Sequence, residues 1–239
     1  GAFTPFFHAF RERESINHIM EETCGARLTM NYMVPGGVMH DIHPNFQKRV
    51  KDFIQLFNSK IDEYDDLVTG NIIFQNRTKG VGIISREDAI SFGCTGPVGR
   101  ASGVSCDIRK LYPYEVYDKV SFDEVIENAG DSYARYLVRI KELRQSVWII
   151  EQLIDNIPEG DFQAKTKAVL KLPKGEFYAR VETARGELGV YIVSEGGTTP
   201  YRIKFRSPGF SNLSALDHMS RGSKIGDLMA IMGTLDLVI

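Results

Sequence analysis

Residues 46–70 read Phe-Gln-Lys-Arg-Val-Lys-Asp-Phe-Ile-Gln-Leu-Phe-Asn-Ser-Lys-Ile-Asp-Glu-Tyr-Asp-Asp-Leu-Val-Thr-Gly. Phe46, Val50, Phe53, Ile54, Phe57, Ile61, Tyr64 and Val68 recur in this stretch at intervals of three and four. That is the period of one face of an α-helix, sustained for about six turns. Gly70 is the residue type that most often closes a helix. The stretch therefore predicts a long amphipathic helix whose apolar face meets a core.

Upstream, Thr4 and Pro5 form a helix-start signal, a hydroxyl cap followed by proline. Phe6, Phe7, Phe10, Ile16, Ile19 and Met20 follow at near-helical spacing, and Gly25 ends the run. Arg11-Glu12-Arg13-Glu14 interrupts it. These charges are either a solvated, salt-bridged face worth a few tenths of a kcal/mol per pair or a charged seam at a subunit interface. A loop containing Pro35, Gly36, Gly37 and Val38 separates the two helices.

Downstream, Ser85 with Asp88 resembles a capping box for a short helix ending at Gly93. Residues 94–106, Cys-Thr-Gly-Pro-Val-Gly-Arg-Ala-Ser-Gly-Val-Ser-Cys, read as an irregular glycine-dense loop. A third long helix is predicted over 131–156, with Tyr133, Tyr136, Leu137, Ile140, Leu143, Val147, Ile150 and Ile154 on one face and Pro158 and Gly160 beyond its end. Residues 161–174 read as a lysine-bearing loop. Residues 177–182, 188–194 and 201–206 are rich in Val, Ile, Tyr and Phe and are separated by glycine turns, which predicts three antiparallel strands. Helical spacing returns at 213–219 and 225–232. Long helices, then a hairpin sheet, then helices give an α+β, mostly helical fold: a long-helix bundle with a small antiparallel sheet. The expected organisation is a helical bundle with the glycine-rich loop over 1–160, then the sheet and carboxy-terminal helices of the same domain over 161–239.

The chain has 239 residues, 43% hydrophobic and 25% charged, with a net charge of −2. This is an ordinary globular composition. Lys and Arg are spread along the chain, so no clustered basic footprint for nucleic acid is present. The apolar runs fall far short of the ~20 residues a membrane span needs, so membrane contact would go through a partner. There is no amino-terminal Met and no signal peptide, and the chain reads as a fragment. Cys24, Cys94 and Cys106 are odd in number and far apart, weak as a disulfide framework.

His40 and His43, beside Asp41, have the spacing of two metal ligands, but no second ligand pair follows. A polar loop leading into the second helix is the preferred reading. The 94–106 loop could cradle phosphate through backbone N–H groups, yet it lacks the Lys-Ser/Thr ending of a P-loop and the spacing of a dinucleotide fingerprint. Close packing against another chain fits its small residues better. Cys94 and Cys106 flank Arg100, which would activate a thiolate, but no histidine lies near in sequence to act as base. No Gly-x-Ser-x-Gly nucleophile motif occurs.

A set of segments, taken in order, resembles the D subunit of NADH:quinone oxidoreductase (complex I). They are the opening Gly1-Ala-Phe-Thr-Pro-Phe-Phe, Arg11-Glu-Arg-Glu, Cys24-Gly-Ala-Arg27, Pro35-Gly-Gly-Val38, residues 96–107 with Arg109-Lys110, and Pro113-Tyr-Glu-Val-Tyr-Asp118. Asp131-Ser-Tyr-Ala-Arg-Tyr136, Arg185-Gly-Glu-Leu-Gly-Val-Tyr191, Pro200-Tyr-Arg202, Pro208-Gly-Phe210 and Gly233-Thr-Leu-Asp236 complete it. The resemblance covers essentially the whole chain and implies the fold of the nickel–iron hydrogenase large subunit. In such hydrogenases an Asp-Pro-Cys-x-x-Cys supplies metal ligands; here the stretch is Asp236-Leu237-Val238-Ile239, with Val238 where the first thiolate would stand. Soft thiolates are what hold nickel and iron.

The resemblance implies a chain without its own cofactor that encloses quinone as substrate, together with an iron–sulfur subunit that holds the cluster. Its partners would be the other complex I subunits, and it would sit peripherally on the cytoplasmic side of the membrane, coupling quinone reduction to ion translocation. It places Gly36, Gly37, Val38, Asp236 and Val238 at the quinone chamber. The small residues and few charges of the glycine-dense loop suggest separately that Arg100, Gly103, Asp107 and Arg109 lie at an interface with the iron–sulfur subunit or with the segment upstream of Gly1. The chain alone would be inactive. The family segment with the headgroup-binding His and Tyr lies upstream of Gly1, the acidic tail lies beyond Ile239, and the 157–177 region is shortened. A related membrane-bound hydrogenase or ferredoxin-linked complex, and a scaffold subunit without a quinone site, are the alternatives.

Overall fold

A computed structural model describes residues 3–167 and 169–237. Its contacts group into two compact units, Gly1–Val68 with Ser146–Leu170, and Thr69–Gln145 with Lys171–Ile239. Both are discontinuous in sequence. The reason is one long helix, whose first part belongs to one unit and whose end belongs to the other.

The first unit holds α1 (Phe3–Cys24), the two-stranded hairpin β1 (Met33–Val34) and β2 (Gly37–Val38), and α2 (Phe46–Tyr64). Helix α2 buries Val50, Ile54, Ile61 and Tyr64, the residues its period predicts. It runs into a π-helical turn, Asp65–Thr69, just before Gly70. Helix α1 ends where expected: Gly25 has φ +74° and donates its N–H to Glu21 O. Its burial does not follow its apolar spacing along the whole length. Phe3, Phe6, Phe7 and Phe10 are exposed, while Ile19, Thr23 and Glu12 are buried. Ile16, Ile19 and Met20 join Val50, Phe53, Ile150, Leu153 and Ile154 around an apolar cavity of about 340 Å³.

In the second unit Asn71 caps α3 (Ile72–Thr78) by accepting from Ile73 N and Phe74 N. Ser85 caps α4 (Arg86–Ser91) by accepting from Asp88 N, as the capping box predicts. The 94–106 segment is less irregular than its glycines suggest, since it contains a helical turn, α5 (Gly96–Arg100), entered through Pro97. After α6 (Ile108–Leu111) comes α7 (Ser132–Leu153). Asp131 starts α7: one carboxylate oxygen accepts Ala134 N at 2.7 Å and the other accepts Gly80 N at 2.8 Å.

The strands β3 (Gly175–Thr183), β4 (Gly186–Ser194) and β5 (Arg202–Arg206) form an antiparallel sheet in the order β3-β4-β5. Tyr178 pairs with Tyr191 and Tyr191 with Lys204. The sequence places all three strands correctly because alternation and glycine turns are local signals. Pro208 opens α8 (Pro208–Ser214), and α9 (Leu216–Ser220) and α10 (Ile225–Leu235) follow. Ile84, Ala89, Cys94, Val98, Ala215, Met219, Ile231 and Leu235 form the apolar core of this unit. The fold is α+β and mostly helical.

Candidate functional site

The glycines of 94–106 allow close approach within this chain, Gly96 to the β3–β4 turn, Gly99 to the Cys94 carbonyl and Gly103 to the Asn128 side chain. Gly96 has φ +66°, and a Cβ there would lie 2.4 Å from Arg185 O; Gly186 has φ +127°, and its Cβ would lie 2.5 Å from Thr95 Oγ1. Only glycine fits both positions. Gly103, at φ +77°, would push a Cβ to 2.7 Å from Asn128 Oδ1. At Gly96 and Gly186 the two backbones that meet are residues 95–96 and the β3–β4 turn.

This approach brings α5 over a buried ionic network. Arg100 is 2% exposed. Its Nε lies 2.7 Å from Glu142 Oε1 on α7, and its Nη1 lies 2.8 Å from Glu182 Oε1 on β3. Burial alone would lower the Arg100 pKa, but the two carboxylates outweigh it and hold the guanidinium above its ordinary value. Burial raises both Glu142 and Glu182, against the pull of the one cation they share. Glu182 Oε2 also accepts Ile108 N at 3.2 Å, which fixes the start of α6. Asp107, 1% exposed, caps α6 through Arg109 N and takes a two-pronged pair from the Arg109 side chain at 2.9 and 2.6 Å. Burial raises the Asp107 carboxyl, and Arg109 more than reverses this, leaving it below its ordinary value. Arg109 also lies over the Phe122 ring, 4.8 Å from its centroid.

Cys106 borders this network and Cys94 lies in the apolar core of the unit, and neither is an activated nucleophile. Burial pushes both thiols up to about 11 despite the nearby guanidinium charge. They are structural thiols, as the missing base suggests.

A second cationic group lies toward the carboxy terminus of the same unit. Arg135 on α7 is fully buried and is held entirely by neutral acceptors. Nη1 donates to Gly82 O and Gly130 O, Nη2 to Ser132 Oγ, and Nε to Thr234 Oγ1 on α10. Burial pushes it down to about 10. Arg139, one turn on, donates to Arg135 O and is lowered by burial, against the pull of Asp236 and Glu142. Asp236 closes α10 in the left-handed conformation, φ 56° and ψ 55°, and its carboxylate lies 3.2 Å from Arg185 Nε.

In the first unit Gly36 lies in the turn of the β1–β2 hairpin and Gly37 opens β2, with φ +96° and +149°. A Cβ on Gly37 would lie 2.3 Å from Phe162 O. Val38 N donates to Phe162 O, and Ala164 N donates to Gly36 O. The 161–174 region, read from sequence as loop, thus supplies an extended partner to the hairpin at Gln163. Elsewhere in this unit Glu12, 3% exposed, accepts from Tyr64 Oη at 2.6 Å and from Arg11 Nε at 2.7 Å. The Arg-Glu-Arg-Glu run is therefore neither wholly solvated nor wholly a seam, since Glu12 ties α1 to α2. His43 Nδ1 accepts Asn45 N just before α2, the polar-loop role. Among the described residues no three of His, Cys, Asp and Glu converge as a metal-ligand set.

Of the residues assigned by resemblance, Gly36, Gly37 and Val38 lie together on the hairpin of one unit and Asp236 lies in the other. Val238 lies outside the described residues. Arg100 and Asp107, expected at a partner surface, are spent inside this chain because each is buried against a complementary charge. Gly103 and Arg109 are partly exposed. Sequence reading missed Glu142, Glu182, Arg135, Arg139 and Arg185. The available signal was the spacing of Arg135, Arg139 and Glu142, which shares a helix face with the buried Ala134 and Val138.

Residues 1–239 match the family described as respiratory-chain NADH dehydrogenase, 49 Kd subunit. Over its whole length the chain is 58% identical to the C/D subunit of the NADH-quinone oxidoreductase of Bacteroides thetaiotaomicron, of which it covers 45%. It is 48% identical to the D 2 subunit of the same enzyme from Solibacter usitatus, covering 65%. It is 45% identical to the D subunit from Bacillus mycoides, covering 66%. The chain thus spans about half to two-thirds of the length of these curated relatives. No helix among the described residues is long and apolar enough to cross a membrane. With the match running through the glycine-dense segment, the buried ionic network and the Asp236 terminus alike, the chain belongs to the family of the 49 kDa subunit of respiratory-chain NADH dehydrogenase.

Proposed function

We propose that this chain is part of a NADH:quinone oxidoreductase and supplies lining for its quinone chamber. The observation that carries the reading is the family match over every residue of the chain, joined by relatives named for that activity. The hairpin at Gly36, Gly37 and Val38 is one lining surface. Asp236, just past the end of α10, is another, and Val238 is assigned to the chamber from the resemblance alone. Electrons come from the iron–sulfur subunit, other subunits connect the chain to the membrane, and the whole stands on the cytoplasmic side. Gly103 and Arg109 belong to the surface facing those subunits.

The chain's own residues have two tasks in this scheme. Arg185 holds the Asp236 carboxylate in place, 3.2 Å away. Arg135, Arg139, Arg100, Glu142 and Glu182 form a buried charged series that responds when quinone reduction changes charge and proton demand at the chamber, because electrostatic interactions are strong where water is excluded. That response is the coupling step toward ion translocation.

The test uses the assembled enzyme carrying Val238→Met or Asp236→Asn. Added bulk in an apolar slot typically costs ~1–3 kcal/mol. Quinone reductase activity or inhibitor sensitivity changes, and electron transfer from NADH to a water-soluble acceptor is retained. Both activities untouched in both variants would return the chain to a scaffold role.

A further inference from the structure

The strand β5 reads Arg202-Ile-Lys-Phe-Arg206 and, among the described residues, pairs on one side only, with β4. Its alternation sorts the side chains by chemistry. Arg202, Lys204 and Arg206 lie on one face with Tyr178, Tyr191 and Val193, around an open groove of about 660 Å³. Ile203 and Phe205 point to the other face and are 45% and 67% exposed, with the exposed Phe177 nearby on the same face.

The charges in the groove are unequal. Glu176 accepts from Tyr191 Oη, and Glu187 accepts from Tyr178 Oη. Arg180 lies 3.5 Å from Glu187. Arg206 is anchored on Thr95 Oγ1, Glu187 O and Gly93 O. Arg202 and Lys204 are exposed, and neither has a carboxylate within ion-pair reach among the described residues. Positive charges on an edge strand ordinarily guard against unwanted pairing. A guard needs no uncovered apolar face behind it, and here Ile203 and Phe205 supply one.

We propose that the outer edge of β5 takes up an extended segment of a partner protein in which acidic and apolar side chains alternate. Its backbone continues the sheet as a fourth strand. Its carboxylates stand across from Arg202 and Lys204, the cross-strand arrangement that favours opposite charges. Its apolar side chains cover Ile203 and Phe205. The proposal goes beyond the quinone reading, since it assigns a surface and a partner chemistry outside the chamber, and its test does not depend on activity.

The experiment places a photo-crosslinking phenylalanine analogue at Phe205, and separately at Ile203, of the full-length protein in its host. Adducts are mapped by mass spectrometry after assembly is confirmed. The expected adduct falls in another polypeptide, within an extended segment carrying Asp or Glu next to the crosslinked position. Adding Arg202→Glu with Lys204→Glu lowers its yield by about fivefold or more, and Arg202→Lys with Lys204→Arg preserves it. An adduct on phospholipid, on a helix, or on a second copy of this chain overturns the proposal. So does no adduct from either position, or a yield indifferent to charge reversal.

Discussion

Arg100 draws three secondary-structure elements to one guanidinium, α5 through its own backbone, α7 through Glu142 and β3 through Glu182. Removing one partner of a buried ionic group leaves the others uncompensated, which costs about 3–5 kcal/mol. Arg100→Met is expected to lose stability on that scale in denaturant unfolding. The pH dependence has a definite sign. Glu142 and Glu182 are both raised in the fold, chiefly by burial. Such groups stabilise the fold below the ordinary glutamate value of about 4.3 and lose that contribution as pH rises through the raised folded value. Without Arg100 they rise further, so the deficit of the variant is smaller near about pH 5 than near about pH 8. Equal deficits at both would show that the guanidinium does not govern these carboxyls. Asp107 runs the other way: held below its ordinary value, it stabilises above that value and loses this as pH falls through the folded one.

Among the secondary-structure elements, helix periodicity located α1, α2 and α7, and in α1 and α7 burial follows the apolar spacing over only part of the helix, at Ile19 and at Val147 and, just beyond α7, Ile154. The stripe of Tyr133, Tyr136, Leu137 and Ile140 is only partly buried, while Ala134, Arg135 and Val138 of the same turns are buried more deeply. A buried arginine defeats a hydrophobicity pattern because hydrogen bonds to Gly82 O and Gly130 O offset its desolvation. In α1 the phenylalanines face outward and Glu12 faces inward, where Tyr64 and Arg11 satisfy it. The β1–β2 hairpin makes a testable case. Gly37→Ala would place a Cβ 2.3 Å from Phe162 O on a backbone that L side chains rarely adopt, a strain of order 1–3 kcal/mol. Residues 162–164 should then separate from the hairpin. Amide exchange at Val38 and Ala164, both hydrogen-bonded across this contact, should quicken while amides of β4 stay protected. Unchanged exchange at both would mean that the contact does not hold the segment.

Taken over its full length, the chain carries no thiolate pair where the hydrogenase-like resemblance would place one, and Cys24, Cys94 and Cys106 are separate free thiols. No three ligand-type side chains converge among the described residues. Elemental analysis of the purified chain is therefore expected to find nickel, iron and zinc below one equivalent. A stoichiometric content of any of them would require a ligand set not foreseen in this fold. The division into two discontinuous units is likewise a property of the entire chain. A boundary drawn along the sequence cannot capture it, because α7 contributes to both units.

Neighbours along the chain suffice to specify the three long helices, the Ser85 cap, the three strands with their glycine turns, the lack of a membrane-length apolar run, and the family. The structural features rest on periodicity, capping and turn chemistry, which act over a few residues, and the family rests on the resemblance of many short motifs in one order. Folding was needed to turn Arg100 and Asp107 inward, to set Gly96 against Arg185 and Gly186, to back the hairpin with 162–164, and to pair Asp236 with Arg185. Each of these joins residues dozens of positions apart or turns on burial. A charged side chain has the same local signature whether solvent or a buried counter-charge stabilises it, and only the folded chain supplies the counter-charge.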